Sequence, residues 1–382
     1  MTAPFAAALS QHPLPTHAVG EVIGHALEQV GEEPDLVVLF VTAPHAGAME
    51  DMAAAVREVL RPGCLLAASA VSVLAGSEEV EEQPAVSLWA GRLGAPAVPV
   101  RLTATNTPDG MHILGMPELD AAADRVLVLL ADPFSFPVDQ LLATLAEDAP
   151  ALRVAGGMAS AARGPGGNRL VLDGQVVTDG AVGALLPVGA PVTTVVSQGC
   201  RPIGDPMTVT RSEGQVVYEL AGRSALERLV ELLGSLSDEE RALAQQGIHL
   251  GQVIDEHKAE FSRGDFLIRN VLGGDREAGA IAVGDEVELG ATVQFQVRDA
   301  ASADEDLREL LEGQQAAGAL VFTCNGRGIR LFGRPDHDAE LIDAHVDGGA
   351  TAGMFCAGEL GPVGGRSFLH GFTASMLLFK EP

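Results

Sequence analysis

The chain has 382 residues, 47% of them hydrophobic and 20% charged, the balance of a folded globular protein rather than a disordered one. Its net charge of −28 excludes DNA, RNA and anionic membranes as partners, because phosphate contacts need clustered Lys and Arg. Forty-five Gly and 22 Pro, with only 4% aromatics, exclude a helical bundle and call for short elements around a core of Val, Leu and Ala.

The spacing of Val19, Val22, Ile23, Ala26, Leu27 and Val30 predicts a helix over Thr16 to Val30, stopped by Gly31 to Pro34. DLVVLFV (Asp35–Val41) is a continuous apolar run of strand length, read as buried on both faces. A helix carrying Met49, Met52, Val56 and Val59 follows, then a strand from Cys64 and a further one at Ala85–Gly91. That order recurs as the strand Arg125–Leu130, a helical stripe of Val138, Leu141, Leu142 and Leu145, the small-residue stretch Ala155–Gly164, and a hairpin turning at Asp173-Gly174. It recurs again as the strand Gly318–Cys324, a helix bearing Leu341, Ile342 and Val346, the small-residue stretch Thr351–Gly361, and a closing strand Phe368–Phe379.

Different material separates the second and third occurrences. It comprises a hairpin over Met207–Leu220, a helix over Gly222–Leu233, and a short helix capped by Ser237 and Glu240. Strands follow at Asp265–Val271 and Glu286–Val297, and the Pro- and Gly-rich stretch Gly199–Pro206 reads as the seam. The expected class is therefore α/β, with mixed sheets covered by helices and repeated strand–helix–strand–strand units in two halves. The units fall at about 35–91, 125–187 and 318–380. The domains are an N-terminal helix over 1–34, a first half over 35–206 and a second over 207–382.

Cys64, Cys200, Cys324 and Cys356 form no C-x-x-C pair, the N-terminus lacks a basic leader, and no apolar run reaches the ~18 residues of a membrane span. The expected location is the cytoplasm, with the thiols unbridged. No P-loop, G-x-S-x-G or H-E-x-x-H occurs, and no motif calls for a cofactor or a metal. Asp336, His337, Asp338 and Glu340 read as acids complementing a helix dipole rather than as a metal site.

The candidate ligand site lies near the C-terminus. Cys324-Asn325-Gly326-Arg327-Gly328 directly follows a buried strand, where α/β proteins tend to place ligand groups. FCAGELGPVGGRSFLHGFTAS (Phe355–Ser375) then brings Cys356, Glu359, Arg366 and His370 onto short glycine-rich loops. Residue chemistry leaves three readings open. In the first the chain binds a small ligand without chemistry of its own, Arg327 or Arg366 taking a carboxylate and Glu359 an ammonium. In the second it is an enzyme with Cys356 as nucleophile and His370 as base. In the third it is a protein-interaction scaffold.

FTCNGRG, AGMFCAGELGPVGG and FLHGFTAS together resemble the C-terminal signature of the FIST family. GCLLAASA, GGMAS with DGQVVTDGAVGALLP, and GCRPIGDPMTVTRSEGQVVYELAG are similar to its upstream parts, so the resemblance spans roughly residues 35–380. The resemblance implies a sensory protein that binds small ligands, amino acids among them, and signals through an unknown partner. Carried over by motif position, the ligand-binding residues are Asn325, Arg327, Cys356, Glu359, Arg366 and His370.

Overall fold

In the computed structural model, which describes residues 3–107, 110–258, 261 and 263–381, the apolar runs become the inner strands of three sheets. The chain opens with β1 (Phe5–Ser10), α1 (Pro15–Gln29), β2 (Leu36–Thr42), α2 (Met49–Leu60) and β3 (Leu65–Ala70). A hairpin of β4 (Ser72–Ala75) and β5 (Glu78–Glu81) follows, then β6 (Val86–Gly91). Every residue of β2, β3 and β6 is buried, which is why they read as Val, Leu and Ala runs without alternation. Helix α1 starts on Pro15, whose fixed φ suits a first turn, and buries Ala18, Val19, Val22, Ile23 and Ala26.

The pattern repeats in β7 (Val98–Thr107), β8 (Gly110–Leu114), β9 (Arg125–Ala131), α3 (Val138–Asp148) and β10 (Leu152–Met158). The hairpin is now β11 (Leu170–Leu172) with β12 (Gln175–Val177), and the closing strand is β13 (Ala181–Leu185). β14 (Val192–Gln198) then leads into an insertion of β15 (Cys200–Pro202), β16 (Met207–Glu213), β17 (Val216–Leu220), β18 (Arg223–Ser224), α4 (Ala225–Ser235) and α5 (Asp238–Ala244). The insertion continues with β19 (His249–Val253), β20 (Phe266–Asp275), β21 (Ala280–Val283), β22 (Thr292–Arg298) and α6 (Ala300–Leu311). The third repeat resumes with β23 (Gly318–Cys324), α7 (Ile329–Phe332), α8 (His337–Asp343) and β24 (Thr351–Cys356). It ends on the hairpin β25 (Glu359–Val363) and β26 (Arg366–His370) and the closing strand β27 (Thr373–Phe379).

All three repeats share one strand order. The first long strand pairs parallel with the next, as β2 with β3, β9 with β10 and β23 with β24. On its other side it pairs antiparallel with the closing strand, β6, β13 or β27. Beyond the closing strand lies β1, β7 or β14. The hairpins, however, do not stay with their own sheets. β4 pairs with β24, β25 with β10, and β11 with β3. The first repeat thus completes the third, the third completes the second and the second completes the first.

Several details differ from the expectations: Val59, expected on the inner stripe of α2, is exposed, and the β4–β5 hairpin, β14, β19, β21 and α6 have no predicted counterpart. The closing strand of the third repeat is Thr373–Phe379, and Phe368–His370 belongs to the exchanged hairpin. The break falls at Phe372, whose φ of +62° no continuous strand accommodates. β1 and the β7–β8 pair have no counterpart among the predicted elements. FAAALS is too rich in Ala to announce a strand, and β7 mixes exposed polar residues with its apolar ones.

The chain divides into two compact units. The first holds the three repeats: the chain up to Val196, Leu310–Leu369, and the stretch from Thr373 onward. The second is Ser197–Glu309 with His370–Phe372. In the second, β22, β16, β17, β21, β20 and β19 follow one another, and β19 returns to β22, so six strands close into a barrel. Val209, Val217, Leu250, Ile281, Val293 and Phe295 fill it, with Ala225 and Leu229 of α4 packed in. The capping box of Ser237 and Glu240 is present at the start of α5.

Candidate functional site

The parallel pair β23–β24 sets Cys324 opposite Cys356 at the C-terminal ends of the strands. Beyond Cys324 the chain reverses, with the Arg327 N–H donating to the Cys324 carbonyl at 2.9 Å and the Gly326 N–H to its sulfur at 3.4 Å. Gly328 closes the turn at a φ of +63°, where a side chain would be strained and its Cβ would meet the Glu81 carboxylate. The turn sends Arg327 inward and leaves Asn325 exposed.

Arg327 is wholly buried (0% exposed). Its Nε donates to Asp338 Oδ2 at 2.6 Å and its Nη2 to Oδ1 at 2.8 Å, a bidentate pair. Asp338 also accepts from Thr323 Oγ1 at 2.8 Å and lies 3.0 Å from Nδ1 of His337, whose ring stacks on Phe332. Burial opposes the charge on Arg327, but the Asp338 carboxylate outweighs it and raises the guanidinium pKa. Burial also opposes the charge on Asp338, and Arg327 more than reverses that effect, holding the carboxyl well below its usual range. Nη1 of Arg327 has no hydrogen-bond partner among the described residues.

Glu359 is as deeply buried. Its Oε2 accepts from the N–H and the hydroxyl of Thr373, at 3.2 and 2.9 Å. Burial pushes its pKa up to about 8, against the pull of Thr373, of the Cys324 thiol hydrogen-bonded to it, and of the Arg327 charge. The carboxyl is therefore largely protonated at neutral pH. Burial also raises the Cys356 thiol well above its ordinary pKa, and Glu359 and Cys324 add to the effect.

The cluster is sealed from the first repeat. Glu79 on the exchanged β4–β5 hairpin accepts the N–H groups of Asp338 and Ala339, both at 3.1 Å, and donates its own N–H to Asp336 Oδ1 at 2.7 Å. Glu81 accepts the Ile329 N–H at 2.8 Å. Burial, followed by the Asp338 charge, lifts Glu79 to about 8.

Of the residues singled out by sequence, Arg327, Cys356 and Glu359 come together, with Asn325 exposed on the adjoining turn. Arg366 stands exposed at the turn of the β25–β26 hairpin, its guanidinium 5.6 Å from the Phe368 ring centre. The length of β25, roughly 13 Å at ~3.3 Å per residue, separates that turn from Glu359. His370 is buried and falls in the second compact unit. Thr323, Asp338, Thr373 and Glu79 are members of the cluster that the sequence reading misses. The one available signal is GSEEVEE, where Glu79 stands at a strand position that is buried.

The arrangement defines an α/β scaffold that holds ionisable groups inside, at the ends of parallel strands. The family model for the FIST N domain matches residues 35–223, and that for the FIST C domain matches residues 225–362. The chain is 45% identical over 380 residues to an uncharacterized protein of Mycobacterium tuberculosis strain H37Rv, covering 98% of each. It is 44% identical over 371 residues to an uncharacterized protein of Mycobacterium bovis, covering 95% of each. This chain belongs to the FIST family and carries both of its domains. FIST domains are associated with small-ligand sensing in signal transduction. Among the described residues no helix is long and apolar enough to cross a membrane.

Proposed function

We propose that the chain is a cytoplasmic sensor for an amino acid or a related small metabolite, acting through a separate protein partner. The observation that carries this reading is the third nitrogen of Arg327. Two of its donors are committed to Asp338, and Nη1 is left to bind an anionic group. Glu359, neutral at pH 7, ionises as an ammonium approaches, because an opposite charge lowers a carboxyl pKa. Asn325 is exposed on the turn next to Arg327, the Cys356 thiol lies near enough to Glu359 to feel its charge, and Arg366 is exposed at its hairpin turn. Arg327 and Glu359 are both closed off from solvent, so the ligand enters by displacing the turn flanked by Gly326 and Gly328. The enzymatic reading loses support from the same geometry, since a buried thiol with a raised pKa is no thiolate at neutral pH.

A thermal-shift screen with amino acids and organic acids tests the reading. A ligand at a hundred times its dissociation constant stabilises the fold by ~2.7 kcal/mol, a shift of several degrees. Glu359→Gln is expected to keep the response to simple carboxylates and lose the preference for amino acids, and Arg327→Lys to lose both. If no amino or organic acid shifts the parent, or if both variants respond as the parent does, the cluster is purely structural.

A further inference from the structure

A cavity of about 1050 Å³ runs along β1, away from the buried cluster. β1 is the edge of its sheet, and among the described residues no strand pairs with its outer side. Its backbone polarity follows from one bond. Arg92 N–H donates to the Pro4 carbonyl at 2.8 Å, and in an antiparallel pair alternate residues face the partner. Pro4, Ala6 and Ala8 therefore address β6, and Phe5, Ala7 and Leu9 direct their N–H and C=O groups into the cavity. Ala3 N–H, bonded to the Gln29 carbonyl at 2.9 Å, closes one end.

The walls set the chemistry of what fits. One is α1, contributing Glu21, His25 and Gln29, and the other is formed by Ala317 and the Asp347–Gly349 turn. Glu21, Asp347 and Glu381 are exposed acids, and among the described residues no Lys or Arg lines the cavity. A free strand edge on the floor of an acidic groove calls for an extended chain that brings main-chain hydrogen bonds and positive charge together.

We propose that the outer edge of β1 is a docking site for an extended, basic segment of a partner protein, which adds to the first sheet as a further strand. Phe5, Ala7 and Leu9 supply the main-chain bonds, and Glu21 on one wall and Asp347 on the other favour Lys or Arg on whichever face of the added strand meets them. A second copy of this chain is disfavoured as occupant, because pairing β1 with β1 would set the same acids against each other in a molecule of net charge −28. The inference does not depend on the ligand reading of the buried cluster.

Fluorescence anisotropy with a labelled, end-capped Lys-Val-Lys-Val-Lys-Val peptide tests it on the full chain. The peptide is expected to bind, the Glu-Val counterpart is not, and the affinity should fall with salt. Ala7→Pro removes an N–H that the sheet does not use, a substitution an edge strand tolerates, and should weaken binding at least ~10-fold. If that variant melts early, a peptide N-methylated at alternate residues asks the same question of the parent protein and should bind at least ~10-fold more weakly. Glu21→Gln with Asp347→Asn should weaken the Lys peptide several-fold. The proposal is overturned if the Lys peptide fails to bind. It is equally overturned if neither the proline nor the N-methyl groups matter, which would leave only charge attraction. A dimer in sedimentation that Ala7→Pro dissolves would assign the edge to a second copy instead.

Discussion

Two acids that the fold keeps protonated, Glu79 and Glu359, make stability depend on pH in an unusual direction. Both are raised from an ordinary value near 4.5 to about 8. Between those values the folded chain holds a proton that the unfolded chain has released, so stability falls as pH rises. The contribution is fully present below about pH 4.5 and lost by pH 8. Every tenfold gain in proton affinity on folding is worth ~1.4 kcal/mol, so each group accounts for several kcal/mol. Asp338 acts oppositely: its depressed pKa contributes stability above the usual carboxylate range that is lost in acid. Urea midpoints at pH 5, 7 and 8.5 should fall steadily in the parent. Glu79→Gln or Glu359→Gln should each flatten that fall, and a slope unchanged in both would refute the burial assignment. Arg327 and Glu359 are legible in the sequence because both adjoin ends of strongly apolar strands. Asp338 is not, since an acid in a helix's first turn looks the same whether it faces water or a buried guanidinium. Glu79 is hidden by distance, with its Asp336 partner 257 positions away.

The repeated strand order is legible because three apolar runs, each followed by a helical stripe and small residues, follow from backbone periodicity alone. The exchange of hairpins is not, because a short strand carries no mark of which sheet it will join. The packing of the second repeat against the third can be tested at one close approach. Gly157 on β10 faces Cys356 on β24, and a Cβ at Gly157 would lie 2.3 Å from the Cys356 sulfur. Gly157→Ala should therefore destabilise by about 1–3 kcal/mol through overpacking. Cys356→Ala opens the room that the added methyl needs, so the double variant should be more stable than the sum of the singles by ~1 kcal/mol or more. Additive changes in chemical unfolding would mean that the two strands do not meet there.

At the scale of the molecule, each sheet of the first unit is completed by a hairpin from elsewhere in the chain. The chain leaves the first unit after Val196 and resumes it only at Leu310. Residues 1–206 alone would leave β4 without β24 and β10 without β25. Expressed separately, that fragment should show no cooperative melting. Co-expressed with residues 207–382, it should purify as a complex that melts like the parent. Cooperative melting of the isolated fragment near the parent's temperature would show that the exchange contributes little.

The first hairpin also meets a problem of timing. On the ribosome, Glu79 waits for Asp336 through 257 further positions, about 13–50 s at ~5–20 residues per second. Throughout that interval β4 and β5 have no sheet to join, and Val73, Leu74 and Val80 stand next to an unpaired edge. Glu78, Glu79, Glu81 and Glu82 then face water, and acidic side chains along an unpaired edge guard against pairing with a neighbouring nascent chain. The proton that Glu79 takes up on burial marks the moment when that guard is no longer needed.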